Sequence, residues 1–458
     1  MDDSSRYLEV MLGAVLVGVV PVLFSEVTRG RRMLTYAAQM DVRMIFGTAS
    51  FLDRLPELDA EATPAGMDKA IFPALDEVIR MTSGPESTSS YADFLQRGVD
   101  VPDELVFDEA VKLLASDSLV VIFTSAVTTG TPKICMLSNY DILRRVVPFT
   151  GHMRIVAGSR VWIPLHMFQI GFFAAVSAVF SVGATVIVSE TFESGMARTL
   201  LKGKRSRMPI RFIRAIGYRS SITWIFCLRI FFLTHVALLG PMALLARAQR
   251  ALPQAAVLTT YGGAEVGGAM SMPSDTDRAE VRLGSVGRPY PDQEVRIVDP
   301  ENGHVCEAGD VGEIQILAPS RARDSSLHGS SYTADGWIRM NDLGAISNEG
   351  VLYFHGRLSD MLNIQGKIVS ALTIEAALSE HPAVLVAQVV ADNKRGAAQS
   401  LAAFIELRPG YLGDAEDIQN FCRARLPDAQ IPPSIIFTTD WPMAASKIQK
   451  PLLRELLP

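Results

Sequence analysis

Residues 123–137 read FTSAVTTGTPKICML, an apolar run followed by hydroxyls, a glycine and a lysine. Holding phosphate takes backbone N–H groups free to turn toward an anion, glycine where the chain must come close, and a cation. Thr128, Thr129, Gly130 and Lys133 can supply those parts. The spacing does not fit G-x-x-x-x-G-K-[ST], which excludes the familiar NTPase loop. Taken alone, the segment reads as an ordinary polar turn before it reads as a phosphate loop. A second glycine-rich turn, YGGAE at 261–265, places a carboxylate beside two glycines. The four cysteines, Cys135, Cys227, Cys306 and Cys422, lie far apart and form no C-x-x-C pair. They read as small buried thiols of a reducing cytosol rather than as metal ligands or disulfides.

The elements that must position these residues show in the hydrophobic pattern. LVVIFTS at 119–125, ATVIVSE at 184–190 and AVLTTYG at 256–262 are strand-length apolar runs between helix-length segments. That alternation predicts buried, largely parallel strands, with ligands gathering beyond their carboxyl ends. The 123–137 loop and YGGAE each follow such a run, so the two are expected to face one crevice. Beyond Gly284 the chain turns to short alternating strands with turn signals: VRIVDPENG at 295–303, GEIQILAP at 312–319 and GVLYFHG at 350–356. From Leu358 a new unit begins, with a helix near 373–380, strands at 384–392 and 401–410, and a helix near 415–426. The expected fold is therefore α/β. A large domain over 1–357 carries largely parallel sheets and a β-rich subdomain at about 284–357. A small α+β C-terminal domain fills 358–458.

Bulk properties narrow the class further. A chain of 458 residues exceeds the roughly 250–300 residues at which single cores stop growing, so more than one domain is expected. Hydrophobic residues make up 48% and charged residues 20%, which argues against extended disorder. A net charge of −6 argues against a nucleic-acid partner, whose phosphates call for clustered Lys and Arg. The apolar run LEVMLGAVLVGVVPVLF at 8–24 contains Glu9, Gly18 and Pro21, so it reads as a buried helix to about Gly18 and a strand over 19–24. A membrane anchor is not expected there. One region stands out: residues 194–264 hold no Asp or Glu, while Lys202, Lys204, Arg205, Arg207, Arg211, Arg214 and Arg219 cluster. It reads as a poorly packed or altered stretch rather than as an anion-binding surface.

With the segments in place, the chain resembles the adenylate-forming superfamily of acyl- and aryl-CoA synthetases, peptide-synthetase adenylation domains and luciferases. TSAVTTGTPKI is similar to that family's T-S-G-[ST]-T-G-x-P-K-G loop and YGGAE to its Y-G-x-T-E. GSVGRPYPDQEVRIVD resembles G-S-V-G-x-P-x-P-G, and DGWIRMNDLG resembles W-x-x-T-G-D-L-G. GRLSDMLNIQGKIVS, HPAVLVAQVV and MAASKIQKPLLR resemble the later motifs, in the family's order. The resemblance implies a family that normally carries a further section before this chain's first residues. It also turns the first loop into a phosphate loop by descent.

What the resemblance implies is a two-step reaction. A carboxylic acid is joined to the α-phosphate of ATP, releasing pyrophosphate, and a thiol of CoA then displaces AMP. By this likeness Thr124 and Ser125 open the phosphate loop, and Thr128, Thr129, Gly130 and Lys133 hold the β- and γ-phosphates. Glu265 would help bind Mg²⁺, and Tyr261, Gly262 and Gly263 would line the adenine pocket. Asp342 would accept from both ribose hydroxyls, with a turn-capping carboxylate as the plainer reading. Arg357 would reach the nucleotide, Leu358 to Asp360 would form a hinge, and Lys447 would bridge the acid and the α-phosphate. Gly366 would border the pantetheine path. His166, in IPLHMFQIGFF, divides evenly between a place beside an apolar acyl pocket and a satisfied core histidine.

Some positions depart from the family pattern. Ala126 and Val127 stand where the loop has one glycine, Ile134 and Ser446 replace glycines, and Ala264 replaces a threonine. These departures support a competing reading, a paralogue that keeps the fold and binds nucleotide without catalysis. A third reading loads the pantetheine arm of a carrier protein instead of free CoA. The expected partners are a carboxylic acid of medium or long apolar chain and one of those thiols, with neither nucleic acid nor membrane.

Overall fold

The computed structural model describes residues 5–24, 40–48, 52, 74–81, 90–114, 119–124, 134–188, 210–215, 233–239, 242–291, 293–317, 323–324, 332–365, 367–392, 400–444 and 447–457. The fold is α/β. A five-stranded sheet, all parallel, runs in the order Ala256–Leu258, Leu233–Leu239, Ile210–Ala215, Arg160–Trp162, Thr185–Ile187. Described helices precede three of its strands, Arg160–Trp162, Thr185–Ile187 and Ala256–Leu258, and the buried run of the helix Ile170–Ser181 shows how they pack: Phe172, Phe173, Ala175, Val176, Ala178 and Val179 are all buried. Each such Phe or Val contributes roughly 1.5–3 kcal/mol on leaving water. Against this helix packs another, Asn139–His152, opened by a capping box in which Ser138 and Asp141 satisfy each other's backbone N–H groups.

Two expectations change here. Ile210–Ala215 lies inside the stretch read as poorly packed, yet it is the middle strand of the parallel sheet. Its arginines disguise it, because Arg211 and Arg214 interrupt the apolar run that marks a buried strand. The first apolar run, Leu119–Thr124, pairs in parallel with Val22–Leu23 but antiparallel with Ile134–Ser138. The antiparallel pairing follows from the connection's length, since residues 125–133 are fewer than the dozen or so that a parallel crossover needs.

At the N-terminus the helix Ser5–Leu16 buries Tyr7 and Met11 and leaves Leu16 exposed, so it covers the core with one face only. No helix among the described residues is long and apolar enough to cross a membrane. Four antiparallel strands, Glu294–Val298, Gly312–Leu317, Ile338–Ile346 and Leu352–Arg357, form the β-rich part around Ile297, Ile314, Ile316, Ile338 and Leu352. After a hairpin of Met361–Ile364 with Lys367–Ser370, Val384–Asp392 pairs antiparallel with Ser400–Leu407, and Ser434–Phe437 adds in parallel. The helices Ala371–Ser379 and Ala415–Arg423 pack against these strands and share a core with Val384, Ala403 and Ile405.

Inside this last unit Lys450 is buried, with Nζ 2.8 Å from Glu375 Oε1 and 3.8 Å from Asp360 Oδ2. Glu375 Oε1 also accepts the backbone N–H of Val389 at 2.8 Å. Burial pushes the Glu375 carboxyl above its ordinary range, against the pull of Lys450.

Candidate active site

The YGGAE segment is built as strand, turn, strand. Tyr261–Gly263 pairs with Gly268–Met272, and a single 3₁₀ turn, Ala264–Val266, carries Glu265 between them. Glycine is required at Gly262: a Cβ there would lie 1.9 Å from the carbonyl oxygen of Gly268. A Cβ at Gly263 would sit 2.7 Å from Glu265 Oε2, in the place the carboxylate occupies. The strand Ile338–Ile346 approaches from the β-rich part and brings Asp342. Its preceding residue, Asn341, has φ +55°, a left-handed conformation that asparagine tolerates better than other side chains. Asparagine thus serves where the resembling motif has glycine.

Tyr261 and Asp342 meet directly. The phenol donates to Asp342 Oδ2 at 2.7 Å, both side chains are buried, and the ring tilts against Phe354 with centroids 5.7 Å apart. Burial, then the charge of Asp342 and the hydrogen bond to it, push the Tyr261 hydroxyl well above its ordinary range, so it stays a donor. Arg357, the last residue of the neighbouring strand, is the register partner of Asp342 and holds Nε 3.7 Å from its Oδ1. Glu265 adds a second negative charge near the phenol. Asp342→Ala should destabilise the protein by about 1–3 kcal/mol, because a buried phenol loses its acceptor. Urea unfolding checks this, and Tyr261→Phe in the same background should restore most of the loss.

Tyr261, Gly262, Gly263, Glu265, Asp342 and Arg357 are therefore brought together. His166 is exposed and stacked on Phe168 with centroids 5.4 Å apart, which overturns the core-histidine reading, while Met167 and Phe168 beside it are buried. Thr124 ends its strand opposite Ile134. Ser125, Thr128, Thr129, Gly130 and Lys133, and with them the expected crevice between the two loops, lie outside the described residues. So does Gly366, although the flanking residues Ile364 and Lys367 pair and Gln365 adopts φ +53°. The backbone of Lys447 lies in a hairpin with Met443–Ala444, and its side chain is outside the described residues.

Sequence reasoning missed Arg145. It sits on the helix Asn139–His152 among Ile142, Val146 and Phe149, is 1% exposed, and reaches the Val266 carbonyl oxygen with Nε at 3.0 Å and Nη2 at 2.7 Å. The signal was available: a cation on the apolar stripe of an amphipathic helix is rarely buried without a partner.

Among the described residues no group of three His, Cys, Asp or Glu side chains converges. Glu265 offers one carboxylate on this turn, a hard-oxygen donor of the kind Mg²⁺ takes.

The chain belongs to the AMP-binding enzyme family. That family matches residues 1–206 and 235–323, and the AMP-binding enzyme C-terminal domain matches 373–447. The match breaks off over the arginine-interrupted region between 206 and 235. Among relatives, the putative acyl-CoA synthetase YngI of Bacillus subtilis (strain 168) is 26% identical over 412 residues, covering 88% of this chain and 74% of that protein. The mitochondrial medium-chain acyl-CoA ligase ACSF2 of Danio rerio is 26% identical over 434 residues, covering 90% and 70%. The crystal structure of the anthranilate CoA ligase AuaEII in complex with anthranoyl-AMP shares the fold, with a TM-score of 0.84 at 20% identity over 100% of this chain and 86% of the other.

Proposed function

We propose that this chain is an ATP-dependent, AMP-forming acid–CoA ligase that activates an apolar carboxylic acid of medium or long chain. The observation that carries the reading is the meeting of Tyr261, Asp342 and Arg357 beside the Glu265 turn. Family membership supplies the reaction type, and the acyl-CoA ligase relatives support CoA as the thiol.

In this mechanism the acid's carboxylate oxygen attacks the α-phosphorus, the bond to the β-phosphate bridging oxygen breaks, and pyrophosphate leaves. Asp342, with two acceptor oxygens, takes the ribose hydroxyls, exchanging the phenol of Tyr261 for the sugar on one of them. Tyr261 and the glycines beside it border the adenine. Arg357 offsets the carboxylate and reaches the nucleotide, and Thr128, Thr129, Gly130 and Lys133 surround the β- and γ-phosphates. Mg²⁺, held at Glu265, would neutralise charge on those phosphates. Residues 358–458 then turn about Leu358–Asp360, carrying Lys447 away and bringing the Gly366 hairpin in. The CoA sulfur attacks the acyl carbonyl carbon, loses its proton, and AMP departs with the bonding electrons.

The test is pyrophosphate release from ATP and Mg²⁺ with a panel of aliphatic and aromatic acids, followed by thioester formation with CoA or with a pantetheine-bearing carrier protein. ATP binding without pyrophosphate release for every acid would instead identify a nucleotide-binding paralogue, the reading that the break in the family match favours. Thioester formed only on the carrier would move the acceptor from CoA to protein. Within the phosphate loop, exchanging Ala126 and Val127 for one glycine should tighten ATP binding severalfold, since glycine lets N–H groups turn inward without steric cost. Calorimetric titration with ATP reads this directly, and weaker binding would mean the native loop has its own geometry.

A further inference from the structure

We propose that Arg145 is a positioning residue that sets the divalent-cation affinity of the nucleotide site by fixing the main chain around Glu265. The proposal rests on the reading of Glu265 as the cation ligand.

The turn reads GGAEVGG, with two glycines before and two after the Ala-Glu-Val core. Glycine is the residue with the most backbone freedom to lose, so a carboxylate flanked on both sides by glycine pairs is poorly held by its own chain. Of these glycines, Gly262, Gly267 and Gly268 have positive φ values of 155°, 76° and 113°, which no other residue type would hold cheaply. The turn needs fixing from outside, and the helix Asn139–His152 supplies it at two points. Arg145 donates Nε and Nη2 to the carbonyl oxygen of Val266, the residue that immediately follows Glu265, and so holds the Val266–Gly267 peptide. One turn earlier in the helix, the backbone carbonyl of Asp141 lies against Gly267, where an added Cβ would come within 2.8 Å of it.

Two donors from one planar guanidinium fix direction as well as distance, which a lysine ammonium cannot do. Placing a cation on the buried face of this helix has a desolvation cost, and the donors converge on one carbonyl next to the carboxylate rather than on solvent. Groups that orient a ligand from behind change metal affinity by roughly 10- to 100-fold when removed. Arg145 touches neither the nucleotide nor the cation in this scheme. It acts through the peptide of Val266.

The experiment is equilibrium binding of ATP by calorimetry, in Mg²⁺ and in EDTA, for the wild type, Arg145→Met, Arg145→Lys, Glu265→Gln and the Met–Gln double variant. The quantity read is the factor by which Mg²⁺ tightens ATP binding. Arg145→Met should lower that factor about tenfold and leave the affinity in EDTA unchanged. Arg145→Lys keeps the buried cation with one donor and should fall between Met and wild type. Because Arg145 works through Glu265, the double variant should match Glu265→Gln alone rather than multiply the two losses.

A wild-type factor in Arg145→Met overturns the proposal, as do multiplied losses in the double variant. Where Arg145→Met does not fold, a wild-type factor in Arg145→Lys overturns it. Glu265→Gln separates the premise from the inference. If that variant keeps the full Mg²⁺ effect, the assignment of Glu265 falls and the inference with it. If it loses the effect while the Arg145 variants keep theirs, only the inference falls.

Discussion

Lys447→Ala is expected to slow pyrophosphate release by about 10²- to 10³-fold, the scale on which a single preorganised donor at developing transition-state charge is worth roughly 3–4 kcal/mol. Transfer of a preformed acyl-adenylate to CoA should be nearly untouched, because in the proposed rotation the lysine has left the site by then. Gly366→Leu should give the mirror image. Ile364 pairs with Lys367 on either side of this position, and in the proposed thiol-transfer arrangement a branched side chain at 366 would block the pantetheine path while pyrophosphate release continues. Measuring the two half-reactions separately, with pyrophosphate detection and with chemically prepared acyl-adenylate, decides the matter. Equal impairment of both halves by both variants would sink the rotating-domain scheme.

Lys450→Met should cost about 3–5 kcal/mol of stability, the range for removing one partner of a buried ion pair. The reason is specific to Glu375, which is buried with Nζ of Lys450 2.8 Å from its Oε1. Without that cation the carboxylate's pKa, already raised by burial, climbs further. A folded-state pKa above the unfolded value means folding takes up a proton. The stabilisation linked to that proton is complete below the unfolded pKa and is lost as pH rises through the folded one. The variant's deficit should therefore be greatest at high pH and should shrink on acidification, as Glu375 takes up its proton. Urea titrations at several pH values check it, and a deficit that grows on acidification contradicts the account. Lys450→Met combined with Glu375→Leu should recover much of the loss, as apolar replacements of buried pairs often do.

How much of this was legible in the sequence depended on whether one physical signal dominated each segment. Val384–Asp392 and Ser400–Leu407 are dense in apolar residues and bounded by turns, and they stand where the pattern put them. The helix Ala415–Arg423 stands within the stretch expected near 415–426, and Asp414 caps it by accepting the N–H groups of Glu416 and Asp417. Two central strands escaped notice. Ile210–Ala215 carries arginines, and Leu233–Leu239 follows a long apolar stretch with no turn residue to mark its start. The same limit held at the site. Tyr261, Glu265, Asp342 and Arg357 were found by the company of motifs, because spacing alone does not say that residues 81 positions apart share a hydrogen bond. Arg145 belonged to no motif. Its role depends on which carbonyl its helix faces, and only the packing of that helix under the turn settles this.

Arg357 occupies two places at once. It is the cross-strand neighbour of Asp342, and the very next residue begins the turn Leu358–Asp360 that leads into the C-terminal strands and helices. Arg454, in the last helix, donates to the carbonyl of Ser359 within that turn at 3.2 Å, tying the chain's far end to the same three residues. Asp342 and the turn are joined through one residue, because Arg357 pairs with Asp342 across the strands and is bonded directly to Leu358. Thermodynamic reciprocity then makes the consequence two-way: if nucleotide favours one orientation by a given factor, that orientation favours nucleotide by the same factor. A cross-link that froze the turn would be felt as a changed affinity for ATP, although it touched no atom of the nucleotide's surroundings.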